Sequence, residues 1–294
     1  MSTSASANES PVREAEVLAG GIVTRYATAG TQGPAVLLVH GRSIGASGAT
    51  EWHGLLPRLA AAGFRTYAPD HLSMGWTDLR PHAWPTEGYE SLLAHLLAFL
   101  DAMRIDQALL IGNSMGAYLS ARLALDHPDR VRAATLIGSR TLAAALGLVP
   151  TPAPRMPDEE DWHREGIRQH LLTQFNDPAA LPQALLEARV LAAQRPGVRE
   201  ATEAFVAALN ARARDEAARA AFMIDKRLPD TRVPMQFVWG ERDGVAPVEL
   251  AHRLARLLPA IPLSVIPEAG HLCHIERAEA VARVVVPFLK QNTA

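Results

Sequence analysis

A chain of 294 residues with a formal net charge of −2 lacks the basic excess that nucleic acid or an anionic membrane surface would call for. Apolar residues make up 48% of it, enough for a large buried core, and the length suits one α/β domain with an inserted subdomain. No apolar run approaches membrane-spanning length, and the lone Cys273 excludes an internal disulfide.

Met1–Ser10 has neither the basic start nor the apolar centre of a secretory signal and is expected to be a frayed tail. The single cysteine fits a reducing compartment, so the expected location is the cytoplasm. Gly21–Ala27 partly alternates and predicts an early, antiparallel strand. Ala35–Val39 is a continuous apolar run, as expected of a strand covered on both faces. Trp52–Ala62 has helical spacing and stops at Gly63, and Phe64–Ala68 reads as the next strand. Leu92, Leu93, Leu96, Leu97 and Leu100 form a helical stripe over Tyr89–Met103. A strand at Ala108–Ile111, a helix at Met115–His127 and a strand at Val131–Ile137 follow.

The pattern then changes. Pro150, Pro152, Pro154 and Pro157 predict a stiff loop, and Asp161–Thr173, Pro182–Gln194 and Arg199–Asp225 read as helices. Alternation resumes with strands at Met235–Trp239 and Leu263–Ile266 and helices at Pro247–Leu257 and Glu276–Lys290. Such β–α alternation implies a mostly parallel central sheet covered by helices, with ligand chemistry at the carboxyl ends of the strands. The expected organisation is a core over residues 1–139 and 230–294, with a helical cap over 140–229 covering that edge.

Gly112-Asn113-Ser114-Met115-Gly116 sits where a strand turns sharply into a helix. That context makes G-x-S-x-G a nucleophile elbow, with the serine hydroxyl exposed at the sheet edge and the helix's positive end behind it. A serine needs a base, and the base needs an orienting acid. Asp243 follows the 235–239 strand and His271 follows the 263–266 strand, in the order serine, acid, histidine. Glu241 is the rival acid, read as solvated, and His274 the rival histidine, read as structural or exposed. His271, Cys273 and His274 lack the partner cluster that a metal site would need, so neither metal nor cofactor is expected. The oxyanion donors are expected to be the backbone N–H groups of Met115 and of Arg42, the latter in His40-Gly41-Arg42-Ser43. His40 reads as a structural hydrogen-bonder, Asp70 as a loop-tethering carboxylate, and Met115, Met156 and Met223 as core filling, with lining the pocket as the alternative. Trp76, Trp84 and Trp162 are candidates for core or pocket walls.

These motifs resemble the α/β-hydrolase fold superfamily from about Val17 to Lys290. Within it, Gly112–Gly116 and the His40-Gly41…Gly45–Gly48 loop resemble the meta-cleavage-product hydrolases, which split carbon–carbon bonds of vinylogous diketones. The resemblance implies a Ser114–Asp243–His271 triad, with Asn113 and Arg189 touching the substrate's acidic end. Gly41 would line the oxyanion loop. The chain departs from that pattern at Arg42-Ser43-Ile44, at Glu51 where an asparagine is usual, and at Leu272 where a tryptophan is usual. A carboxylate at Glu51 would repel a substrate carboxylate unless Arg42 or Arg189 offset it. The expected activity is therefore serine hydrolysis of a small, largely apolar carbonyl compound, with a homodimer compatible. Carbon–carbon cleavage, ester or lactone hydrolysis, non-hydrolytic cyclase or lyase chemistry, and a receptor with a retained triad stay open as readings.

Overall fold

The computed structural model of the protein describes residues 11–151 and 154–293, so the expected frayed tail lies outside them. Its strands are β1 (Arg13–Ala19), β2 (Ile22–Ala29), β3 (Ala35–Val39), β4 (Arg65–Pro69), β5 (Ala108–Asn113), β6 (Val131–Ile137), β7 (Met235–Gly240) and β8 (Leu263–Ile266). They form one sheet in the order β1-β2-β4-β3-β5-β6-β7-β8. β2 pairs antiparallel with β1 and with β4, and every pairing from β4 to β8 is parallel. The apolar runs in β3, β5 and β7 are buried at every position, because helices cover both faces. β1 has no such run. It is a margin strand with exposed charges, and Glu14 and Glu16 pair with Arg25 of β2.

Side chains alternate across β3. Leu37 and Val39 face one core with Leu92 and Leu119, while Val36 and Leu38 face another with Leu56 and Val285. The helices of the first half are α1 (Gly48–Trp52), α2 (Leu56–Ala61), α3 (Tyr89–Ala102) and α4 (Met115–Asp126). The continuous helix expected over Trp52–Ala62 is thus two. Ser47 and Thr50 make a capping box for α1, and Pro57, which has no N–H to donate, opens α2.

Between β6 and β7 lie α5 (Arg140–Ala145), α6 (Arg164–Leu172), α7 (Gln183–Ala193), α8 (Val198–Arg214) and α9 (Glu216–Phe222), with no strand among the described residues. The helix expected over Arg199–Asp225 breaks at Asp215, whose carboxylate accepts from Ala218 N at 2.7 Å and so starts α9. This segment has its own apolar cluster, with Trp162, Leu171, Leu186 and Val190 packed on Leu272. α10 (Val248–Leu257), α11 (Cys273–Glu276) and α12 (Ala278–Gln291) complete the chain. No helix among the described residues is long and apolar enough to cross a membrane.

Helix α4 approaches the sheet closely where it leaves β5. A Cβ on Gly116 would collide with the Val39 carbonyl, so this position needs glycine for space. Gly116→Ala is expected to cost about 1–3 kcal/mol through overpacking. Urea unfolding would read this as a lower midpoint, and an unchanged midpoint would show that α4 is free to back away from β3.

Candidate active site

Ser114 ends β5 and starts α4 with φ 55° and ψ −119°, a left-handed backbone that a serine seldom adopts. Its neighbours hold it there. Ser114 N–H donates to Ile137 O at 2.9 Å, and the Ser139 hydroxyl donates to Ser114 O at 2.6 Å. Ser139 also caps α5 by accepting from Leu142 N. No motif in the sequence marked it.

The loop after β3 runs directly against this turn, and a Cβ on Gly41 would come within 3.0 Å of Ser114 Cβ. His40 fixes the loop. Its Nε2 accepts from His71 N at 3.1 Å, so its Nδ1 carries the proton and donates to Gly41 O at 2.8 Å. Burial holds His40 well below the usual histidine range, with the neighbouring His71 adding to the effect. A neutral imidazole with one tautomer therefore pins the Gly41 carbonyl. The N–H of Arg42 belongs to the same planar peptide and points the opposite way. The Met115 N–H opens α4, where no intrahelical acceptor exists. Arg42, Ser114 and Met115 all line one large cavity.

Asp243 leaves β7 in a tight turn, with Oδ1 accepting from Val245 N at 2.9 Å and from Ala246 N at 2.7 Å. Its Oδ2 faces His271 Nδ1 at 2.9 Å, and both residues are buried. That bond leaves His271 Nε2 directed away from the acid. His271 and Ser114 line one small cavity of about 20 Å3, although no hydrogen bond joins Ser114 Oγ to His271 among the described residues. Catalytic hydrogen bonds commonly tighten only when substrate is seated.

The histidine loop is held from the helical segment. Glu276 accepts from Gly270 N at 2.7 Å and from Asp177 N at 2.8 Å, and Leu272 N donates to Gln174 O at 3.1 Å. Neither Glu276 nor Gln174 stood out in the sequence, since both act across long separations. The rivals fall elsewhere. Glu241 is half-buried and accepts from Glu268 N. His274 is buried against Trp52, with ring centroids 4.4 Å apart, and burial pushes it down to about 3. Cys273 is buried and its thiol pushed up by burial. Asp70 accepts from Gly48 N and Trp76 N, each at 2.6 Å, and burial pushes its carboxyl up to about 7.

Of the residues expected to meet substrate, Gly41, Glu51, Asn113 and Leu272 line the small cavity. Arg189 lines neither cavity. It is fully buried, with Nη2 on Glu51 Oε1 at 2.5 Å and Nη1 on Ile44 O at 3.2 Å. Arg42 is the exposed cation. It lines both cavities; burial pushes the Tyr89 phenol up and the Arg42 guanidinium offsets this, which brings its charge near the wall of the large one. That cavity has a volume of about 1130 Å3 and is lined by Tyr118, Trp162 and Phe205 among others. Met115, which is also buried in the core, joins Met156 and Met223 in the pocket-lining alternative, and all three are part of its wall. Trp76 is not; it is 44% exposed under the Arg195 guanidinium.

Residues 34–278 match the alpha/beta hydrolase fold family. The chain is 34% identical over 277 residues to a 2-hydroxy-6-oxo-2,4-heptadienoate hydrolase of Pseudomonas putida, covering 93% of this chain and 95% of the relative. It is 31% identical over 293 residues to a 2-hydroxymuconate semialdehyde hydrolase of a Pseudomonas species, covering 97% and 96%. Among solved structures, a meta-cleavage product hydrolase from Pseudomonas fluorescens superposes with a TM-score of 0.74 at 26% identity, covering 94% and 97%.

Two outcomes follow from the buried charges. Arg189→Met strands the Glu51 carboxylate and is expected to cost about 3–5 kcal/mol, whereas Glu51→Gln with Arg189→Met together should cost less than the two separate losses summed. Chemical denaturation of the three variants checks this. The pH dependence comes from the buried histidines. His71 is pushed down to about 4, and His95 and His274 to about 3, all by burial. From about pH 6.5 down to 4 the unfolded chain takes up protons that these rings refuse, so stability falls as the pH falls. Asp70 opposes this, because its raised value lets the folded state bind the extra proton between about pH 4 and 7. Several histidines against one aspartate leave a net acid loss, visible as a urea midpoint that drops from pH 6.5 to 4.

Proposed function

The chain belongs to the α/β-hydrolase fold family, and from that premise we propose that it is a serine-dependent hydrolase. It cleaves a carbon–carbon bond next to the carbonyl of a small, largely apolar substrate. The observation that carries the reading is the meeting of three separate segments: the strained Ser114 turn and the Asp243-held His271 open on one small cavity.

His271 Nε2 takes the Ser114 proton as Oγ attacks the substrate carbonyl. Asp243 keeps the proton of the neutral ring on Nδ1 and balances the cation that forms. The tetrahedral oxyanion is held by the N–H groups of Arg42 and Met115, each donor being worth roughly 3–4 kcal/mol in such sites. The carbon–carbon bond then breaks. Its electron pair passes into the conjugated carbonyl system of the leaving fragment, and His271 returns the proton to that fragment. Water, deprotonated by His271, clears the acyl group from Ser114 as a carboxylic acid. The large cavity, with its aromatic wall, holds the apolar part of the substrate. The helical segment acts as a cap that limits bulk water. The lone, buried Cys273 fits a cytoplasmic enzyme.

Ser114→Ala is expected to fold normally and lose at least about 1000-fold in turnover. A fluorophosphonate probe should label the wild type at Ser114 and spare the variant. Substrate choice is checked with a vinylogous 1,5-diketone, offered as its acid and as its neutral amide, beside short p-nitrophenyl esters. Turnover of the esters alone would remove carbon–carbon cleavage, and wild-type activity in Ser114→Ala would remove the serine.

A further inference from the structure

The small cavity beside Ser114 and His271 has a volume of about 20 Å3, room for about one water-sized group. Glu51 forms part of its wall and is 2% exposed. One carboxylate oxygen, Oε1, is taken by Arg189 Nη2. The other, Oε2, has no hydrogen-bond partner among the described residues and keeps some accessible surface, on a residue that lines this cavity. Three more groups at the same wall are unpaired. Ser43 Oγ and the acceptor Asn113 Oδ1 are buried without a partner, and the Gln174 side-chain amide makes no described hydrogen bond.

The charge of this cavity is settled before any ligand arrives. Arg189 is 0% exposed, bonded to Glu51 and Ile44 O, and absent from the cavity wall, so it has no face to offer an anion. Arg42 does line this wall, but its charge acts on Tyr89 and His170, both in the wall of the large cavity, so the carboxylate set into the small cavity is Glu51. A ligand carboxylate here would meet Glu51 at close range in a water-poor site. A ligand cation would find that carboxylate already balanced by Arg189. A neutral O–H or N–H has neither penalty and fills the vacant acceptor site on Oε2. We infer that Glu51, locked to Arg189, makes the polar end of the substrate a neutral hydrogen-bond donor, a hydroxyl or a carboxamide, and turns carboxylates away. The relatives are named for acids, a dienoate and a muconate semialdehyde, so this cavity sets the chain apart from them.

The inference rests on the serine-hydrolase reading, and the test separates the two. Benzamide and benzoate match in shape and differ in charge. Each is used to protect Ser114 of the full chain from a fluorophosphonate probe, with labelling read by mass spectrometry. In the wild type, benzamide is expected to protect at a concentration at least 10-fold below benzoate. In Glu51→Gln that ratio should shrink below threefold. Benzoate protecting the wild type as well as benzamide does, or benzamide giving no protection, overturns the inference while labelling of Ser114 keeps the hydrolase reading in place. A ratio unchanged in a folded Glu51→Gln also overturns it. Should that variant fail to fold, the wild-type comparison decides alone. Absence of any Ser114 labelling defeats the hydrolase reading and this inference with it.

Discussion

The left-handed backbone at Ser114 is the constraint on which the site depends. A non-glycine residue in such a region costs on the order of 1–3 kcal/mol and persists only where the surroundings overdetermine it. Here they do. β5 is buried along its whole length and α4 is buried at ten of its twelve positions, so neither can swing to relax the turn. The Ser139 hydroxyl and the Ile137 carbonyl hold the two sides of the Ser114 peptide. The result is a hydroxyl carried by rigid elements rather than by a loop.

The same rigidity extends to the charges around it. Glu51 comes from α1 and Arg189 from α7, so their pair ties the inserted helices to the sheet directly behind the cavity. Glu276 and the Gln174–Leu272 contact make a second tie, on the side of His271. The insertion is therefore part of the site's frame. It supplies Gln174 to the small cavity and most of the wall of the large one. A buried ion pair is weak evidence for stability, because desolvation consumes much of its attraction. Its clearer consequence is electrostatic: it removes a cation from the reach of any ligand and leaves a carboxylate oxygen in its place.

Much of this was legible in the residues. Continuous apolar runs marked β3 and β5, since strands covered on both faces have no reason to alternate. The placement of Ser114, Asp243 and His271 at one sheet edge was legible because each follows the carboxyl end of a predicted strand. β1 was not, because its exposed Arg13, Glu14 and Glu16 lack a buried pattern. The break at Asp215 was hidden by helix-forming residues on both sides, among which one capping carboxylate is a small signal. Glu51 stood out as an unusual residue with Arg42 or Arg189 as its offsetting cation, but nothing local chose between them, and the pairing with Arg189, 138 positions away, came only from the fold. Glu276 and Ser139 were invisible for the same reason. They act through backbone groups of segments that only the tertiary fold brings near.

The two cavities share Arg42, Ser43 and Ser114 in their walls, and they meet at one peptide. His40 holds the Gly41 carbonyl, which turns the Arg42 N–H away from the histidine pair. The Arg42 side chain brings its charge near Tyr89 in the wall of the large cavity, while Glu51 lines only the small one. The tight side therefore carries the Glu51 carboxylate, and the roomy side carries apolar walls with charges of both signs. In the proposed reaction a substrate carbonyl would sit where the Ser114 hydroxyl and the unpaired amides of Arg42 and Met115 come together. Preorganised donors of this kind stabilise charge as it develops without having to move, and the neutral, singly protonated His40 is what keeps one of them aimed.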